Sequence, residues 1–132
     1  MIFLVAFAPA RAGEVTVSST GAMYASVAQA VADAALGDTL IATGFFDGEG
    51  VIRIDKDLTL LGGGGTSIFA VEDPGIEVDP GATAVIEGIS LINANGTGVR
   101  SSGTLTVRDS LLEGHTPTFG GAVRADSGSL NL

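Results

Sequence analysis

The chain has 132 residues, an apolar fraction of 45% and a formal net charge of −9 at pH 7. Its length suits one domain with a packed core. It has no cysteine, which excludes disulfides and thiolate metal sites, and only six Lys or Arg, too few for the basic surface that nucleic-acid binding requires.

The first residues predict an export signal. Met1–Pro9 is apolar and leads into Ala10-Arg11-Ala12, which is typical of a small-residue cleavage site. We therefore expect residues 1–12 to be a signal peptide and the mature protein to be extracellular or at the cell surface. This run is too short to cross a bilayer, so we expect no transmembrane helix. Because it lacks a positively charged start, either the start is truncated or the run is an extra apolar strand instead of a signal peptide.

Residues 13–37 predict a strand followed by a capping helix. Between Ser26 and Leu36 the apolar residues share one helical face. Ser26 and Gln29 fit a capping box, and Gly37 is a C-terminal stop signal. We predict a helix of about three turns that covers the open first turn of the segment that follows.

Residues 38–132 carry a repeat. Short apolar strands punctuated by glycine recur every 21 to 25 residues, as in Ile86 and Val107 or Val99 and Val123. Such a period indicates a solenoid in which each repeat forms one turn. Three strand positions per repeat predict an all-β fold, a parallel β-helix with three strands per turn. About three turns are expected in this segment, after one N-terminal capping α-helix.

The alternation of apolar residues predicts which side chains face inward. The outward-facing residues give a check on the pairing register of successive turns. A spacing of 21 places Asp79 beside Arg100 and Glu87 beside Arg108, and opposite charges one turn apart support that register. Three inward columns are expected: Ile52, Ile76, Val99 and Val123; Leu60, Ile86, Val107 and Leu132; and Ala42, Ile68, Leu91 and Leu112.

The last strand, Leu130-Asn131-Leu132, ends in mid-pattern. An open parallel turn exposes unpaired backbone groups and apolar side chains. We therefore expect the chain to be truncated at its C-terminus, as part of a longer solenoid. The open turn also offers a route to end-to-end self-association.

Two segments carry a family resemblance. Ser26–Gly62, with a small-residue helix followed by Gly37–Leu40 and Ile54–Gly62, resembles the start of secreted right-handed parallel β-helix proteins of the pectin-lyase-like superfamily. Gly103–His115, followed by Gly120–Val123, is similar to the repeats of polymorphic outer-membrane proteins, although His115 stands where those repeats usually carry Asn. The resemblance implies a right-handed β-helix outside the cytoplasm.

For the enzymes of the superfamily, the resemblance implies a groove that binds polyuronates. Lyases use Arg as a base with Asp-bound calcium, and hydrolases use clustered Asp residues with Gly-His-Gly. Neither set occurs in this sequence, since His115 lies in Gly114-His115-Thr116. We therefore assign no catalytic residue.

The remaining polar motifs are interpreted as corners. The acidic pairs nearest to a catalytic constellation are Asp47 with Glu49 and Asp55 with Asp57, and glycoside hydrolysis needs two carboxylates that face each other across a sugar. Asp55 and Asp57 flank Lys56 at a corner between strands, which favours a solvated turn. Glu72 and Asp73, in a turn ending Pro74-Gly75, are weak calcium candidates, and no other cofactor is expected. Gly62–Gly65 is interpreted as a tight bend rather than a phosphate site, and Asn93 as an amide satisfied by a neighbouring turn.

These observations favour a secreted or cell-surface scaffold, either structural or adhesin-like, that binds polysaccharide or another cell-surface ligand. The first alternative is the N-terminal part of a polysaccharide lyase or glycoside hydrolase whose catalytic turns lie elsewhere. The second is a subunit that self-assembles into fibres.

Overall fold

The computed structural model describes residues 12–93, 95–114 and 122–132. The first elements of these ranges are β1 (Glu14–Val17), β2 (Met23–Tyr24) and α1 (Val27–Asp33). The strands that follow are β3 (Thr39–Thr43), β4 (Phe45–Glu49), β5 (Ile52–Ile54), β6 (Leu58–Ala70), β7 (Ile76–Val78), β8 (Thr83–Asn93), β9 (Val99–Ser101), β10 (Thr104–Arg108), β11 (Leu111–Gly114), β12 (Val123–Ala125) and β13 (Ser129–Asn131).

From β3 onward, the strands pair in parallel with strands of the next turn. Sheet A is formed along one path by β3, β6, β8, β10 and β13, with β4 added beside β6 and β11 beside β8. Sheet B contains β5, β7, β9 and β12. Parallel strands need a crossover, and here the rest of each turn supplies it. The predicted parallel β-helix is confirmed, with four turns represented in sheet B rather than about three.

In the two turns that contain β6 and β8, the three strand positions are built from one short strand and one bent strand. β6 and β8 each run through both halves of sheet A, and their pairing shifts between Leu61 and Thr66. The bend falls at Gly62–Gly65 in β6, where Gly64 and Gly65 have φ values of 88° and 66°. Side chains rarely tolerate this conformation, so glycine is required there. The predicted glycine corner is therefore a bend inside a strand.

The core consists of three inward columns that run along the solenoid. Within sheet B the predicted column is confirmed, because Ile52 pairs with Ile76, Ile76 with Val99, and Val99 with Val123. In sheet A the first half stacks Leu40, Leu60, Ile86 and Val107, and the second half stacks Phe46, Ile68, Leu91 and Leu112.

The placement of Ala42 in the third column was wrong. Ala42 pairs with Gly62 in the first half of sheet A, whereas Phe46 pairs with Ile68 in the second half. The chain turns between them at Gly44, which has φ 92°. The first turn therefore uses two separate strands where the next turn uses one, and Phe46, only 3% exposed, takes the expected place of Ala42.

An antiparallel cap covers the first turn. β1 pairs antiparallel with β3, and β2 pairs antiparallel with β1. α1 packs beside them and against β5, with Val27, Ala30 and Val31 buried. An uncovered parallel edge would expose a row of unpaired backbone groups. The predicted helical lid is present, and a two-strand antiparallel unit adds to it.

The helix is shorter than predicted. It ends at Asp33 rather than near Leu36, and so has about two turns. Lys56 Nζ donates hydrogen bonds to the main-chain oxygens of Ala32 (3.2 Å) and Ala34 (2.7 Å). A cation at the last carbonyls of a helix is favourable. The backbone leaves the helical conformation at Ala34, where ψ is 148°, so the helix ends before Gly37, the predicted stop. Lys56 satisfies the carbonyls at this end.

The alternation along β6 allows a matched test of the fold. Leu60 is fully buried, whereas Thr59 beside it is half-exposed. We expect Leu60→Ala to lower the free energy of unfolding by about 2–5 kcal/mol, because it leaves a cavity in the column. Thr59→Ala should change it by less than about 1 kcal/mol. Urea denaturation measures both, and a larger loss for Thr59→Ala would contradict the assigned faces.

Candidate functional site

A row of charged residues runs along the outer face of sheet B. The middle residue of each three-residue strand faces outward, and the four strands pair in register. Because successive turns repeat the same geometry, the side chains form a column about 4.8 Å apart. We call these residues, with the two carboxylates that join them, the charged ladder: Arg53, Glu77, Asp79, Arg100, Arg124 and Asp126.

Ion pairs connect the members of the charged ladder. Arg53 Nε lies 2.9 Å from Asp79 Oδ2, and Arg100 Nη2 lies 3.2 Å from Glu77 Oε1. Within the last turn described, Arg124 Nε donates to Asp126 Oδ1 at 2.6 Å. The hydrogen bond that Arg53 donates to Asp79, together with the negative charge of that carboxylate, raises the pKa of Arg53. Arg53 therefore stays protonated and is a poor proton acceptor.

The predicted pairing of Asp79 with Arg100 was wrong. Sheet B advances 23 residues from Ile76 to Val99, whereas sheet A advances 21 residues from Thr83 to Thr104. The reason is the corner that follows each sheet B strand, which contains residues 79–82 in one turn and only 102–103 in the next. Within sheet A the predicted register holds, since Arg108 and Glu87 are Cα partners.

Glu49 is a buried carboxylate with a structural role. It is 7% exposed, and its oxygens accept hydrogen bonds from the main-chain N of Val27 (2.6 Å) and from Ser26 Oγ (3.1 Å). These contacts satisfy the first turn of α1. Asp47 is exposed, and a register shift separates it from Glu49 in β4. The two acids therefore do not form a facing pair.

The second acidic pair also lies at a corner. Asp57 Oδ1 accepts a hydrogen bond from the main-chain N of Thr83 at 2.8 Å, which ties this corner to the next turn. Asp55 lies on the exposed side, with one carboxylate oxygen 3.8 Å from Lys56 Nζ. The pair is consistent with the predicted corner.

The calcium candidates lie in the loop between β6 and β7. Both side chains are exposed. Asp73 Oδ1 accepts a hydrogen bond from the main-chain N of Thr97 at 3.0 Å, and the main-chain oxygen of Glu72 accepts one from Asn93 Nδ2 at 2.5 Å. No group of three or more potential metal ligands occurs among the residues that the structure describes. Calcium binding by Glu72 and Asp73 remains a prediction.

Asn93 behaves as predicted. It is fully buried, and its Nδ2 donates to main-chain oxygens of the preceding turn, at Glu72, and of its own turn, at Thr97. Its Oδ1 accepts from the main-chain N of Asn95. The amide therefore joins two turns. His115, which the resemblance singled out, lies outside the described residues.

A groove follows the bend of sheet A across successive turns. We call it the bend groove. One depression of about 490 Å³ lies between the first two turns, and one of about 270 Å³ continues toward the later turns. They share Gly65 and Ser67, so the two are continuous. The bend groove is lined by Thr43, Gly44, Phe45, Gly63–Ser67, Gly88–Ser90, Asp109 and Leu111.

Comparison with known proteins finds no match: no family model, no curated protein and no solved structure is significantly similar to the chain. Of the resemblance drawn from the sequence, the structure supports the β-solenoid fold alone. Within the described ranges, no helix has the length and apolar character needed to cross a membrane.

Most residues of the charged ladder and the bend groove were not predicted as functional from the sequence. Asp79 and Arg100 were noted, but with the wrong partners, and neither Arg53 nor Glu77 was singled out. The signal was present, because a charged residue between two inward apolar residues recurs in Ile52-Arg53-Ile54 and Ile76-Glu77-Val78. The bend groove was not foreseen, because its shape depends on how consecutive bends stack.

Glu49 and Asp47 form a matched pair for a capping test. We expect Glu49→Gln to lower the free energy of unfolding by about 1–3 kcal/mol, because the amide cannot accept both hydrogen bonds with the strength of a carboxylate. Asp47→Asn, on the same strand but exposed, should change it by about 0.5 kcal/mol or less. Chemical denaturation compares the two variants, and equal effects would remove the capping role of Glu49.

A double-mutant cycle tests the register of the charged ladder. Glu77→Gln and Arg100→Gln should show a coupling energy of about 0.2–1 kcal/mol at low salt, as expected for a partly exposed ion pair. Asp79→Asn combined with Arg100→Gln should show much weaker coupling. Thermal denaturation of the single and double variants measures both values. Stronger coupling for the second pair would support the register predicted from the sequence instead.

Proposed function

We propose that this chain is part of a secreted or cell-surface β-solenoid scaffold that binds an extended carbohydrate. The observation that carries this proposal is the repetition of outward positions. The charged ladder and the bend groove both run across successive turns, with equivalent positions about 4.8 Å apart. A chain-like ligand meets similar groups at each step along such a surface, and solenoids offer extended binding surfaces of this kind.

Two further features support the proposal. The apolar run Met1–Pro9, followed by Ala10-Arg11-Ala12, fits an export signal and hence a surface location. Two of the carboxylates that were considered as candidates for glycoside hydrolysis are engaged in structural hydrogen bonds. These are Glu49 at α1 and Asp57 at its corner. Their bonding favours a scaffold over a hydrolase in the turns described.

The alternative is an uronate-cleaving enzyme, and the charged ladder is the feature that favours it. Arginines beside carboxylates on one face match the kind of group that the resemblance implies for lyases. Ion pairing of Arg53 and Arg100 weighs against it, because a guanidinium held by a carboxylate keeps its proton. Assembly into fibres is the third candidate, and a monodisperse monomer by size-exclusion chromatography would count against it.

Affinity electrophoresis separates binding from cleavage. The protein is run in native gels containing soluble galactomannan, xyloglucan or polygalacturonate, and each mixture is assayed for reducing ends and unsaturated uronides. We expect slower migration in at least one polysaccharide, with no product released. Product release would favour the enzyme. Unchanged migration in all three gels would contradict carbohydrate binding and leave only a structural role.

A further inference from the structure

We infer that the bend groove is the carbohydrate site and that it takes a neutral glycan, one without carboxylate or sulfate groups. This inference rests on the proposed function, and it commits to one of the two repeating surfaces and to one chemical class of ligand.

The first argument is the shape of the bend groove. It crosses four turns, from Phe45 in β4 to Leu111 in β11. Three steps between paired strands make it about 14 Å long, which suits a short oligosaccharide lying along the solenoid axis. The insertion at Gly62–Gly65 places four residues opposite the single Gly88. Gly63, Gly64 and Gly65 of this insertion line the groove.

The second argument is the chemistry of the lining. Phe45 offers a half-exposed aromatic ring, and its ring centroid lies 4.9 Å from that of Phe69. Aromatic faces pack well against flat apolar surfaces such as the C–H face of a sugar. Ser67 and Ser90, which are Cα partners in adjacent turns, both lie in the groove. Each hydroxyl can donate and accept hydrogen bonds. Apolar contact combined with a few polar groups is usual for a small-molecule site.

The third argument is charge. Among the residues that the structure describes, Asp109 is the one charged side chain that lines the bend groove. Arg108 precedes it, but it is the Cα partner of Glu87 in the first half of sheet A, so an opposite charge faces it. In a chain of net charge −9, a groove lined by a single carboxylate repels polyanions. A neutral sugar meets no such barrier, and its hydroxyls can donate to the carboxylate.

Asp109 also stands where the backbone favours glycine. Its φ is 47°, in the left-handed region, whereas the corresponding bend of the preceding turn has Gly88, with φ 71°. No hydrogen bond or ion pair engages the Asp109 carboxylate among the residues that the structure describes. The side chain therefore has no visible structural task and is free to bind a ligand.

The test measures binding of defined oligosaccharides by isothermal titration calorimetry. Cellohexaose, mannohexaose and N-acetylchitohexaose serve as neutral probes, and hexagalacturonate serves as the anionic one. We expect at least one neutral probe to bind more tightly than hexagalacturonate. Tighter binding of hexagalacturonate, or binding of no neutral probe, would overturn the inference.

Two pairs of variants then locate the site. Asp109→Gly should weaken binding of the neutral probe about ten-fold, as expected for loss of a hydrogen bond to a charged group. It should still fold, because glycine suits the positive φ. Its control is Glu87→Gln, which changes a carboxylate on the same sheet outside the groove.

The second pair concerns the aromatic ring. Phe45→Ala should weaken binding about ten-fold, and Phe69→Ala much less, although both remove the same ring contact. Thermal denaturation checks that each variant is folded at the temperature of the titration.

The outcomes distinguish failure of the bend-groove assignment from failure of the proposed carbohydrate binding. If a neutral probe binds equally well to the groove variants but is lost with Arg100→Gln, carbohydrate binding holds and the site is the charged ladder. If polysaccharides do not retard the protein in gels, carbohydrate binding itself fails.

Discussion

Parallel pairing between successive turns is the constraint on which the rest of the structure depends. Side chains alternate between the two faces of a strand, so one residue of slippage would exchange the inward and outward sets. In β6 such a slip would turn Leu60 out of the core and bring Thr59 in. The backbone hydrogen bonds and the apolar columns therefore specify the same register. Corner length is free to vary, as residues 79–82 and 102–103 show, because the pairing resumes after each corner.

The bend of sheet A shows how this constraint produces a surface. A side chain at Gly62 would collide with the main-chain oxygen of Gly88 in the next turn, so the two backbones can meet only because Gly62 lacks a Cβ. Packing explains Gly62, and positive φ values explain Gly64 and Gly65. The bend leaves a depression on the outer side. Asp109 differs, since no packing contact in the described residues requires a carboxylate at that bend. The packing and backbone conformation of the glycines account for the shape of the bend groove. They do not account for the carboxylate of Asp109.

The sequence predicted those parts of the fold that depend on local alternation. The column from Ile52 to Val123 could be derived because each member lies in a short strand with apolar residues two apart. Errors arose where a distant contact decided the outcome. The helix ends before Gly37, and Lys56 binds the carbonyls at its end. The unequal corners moved Asp79 from Arg100 to Arg53. Neither effect is visible in a periodic pattern.

The candidate surfaces were harder to predict for the same reason. Asp47 and Glu49 look equivalent in sequence, and only burial beneath α1 assigns one of them to a structural bond. Exposed turn acids such as Glu72 and Asp73 attract attention because of their charge. The bend groove is built mainly from glycine, serine and threonine, which carry no comparable signal. The bend groove could be recognised only from the structure, in which the bends of successive turns are stacked.

The distribution of charge separates the two repeating surfaces. Three of the six basic residues lie in the charged ladder, where carboxylates are their neighbours. An anionic polymer bound there would have to replace these internal partners, and the exchange of one ion pair for another yields little net free energy. A neutral ligand in the bend groove displaces no ion pair and meets one unengaged carboxylate. On electrostatic grounds alone, the ladder is therefore better suited to holding turns together, and the groove to holding a ligand.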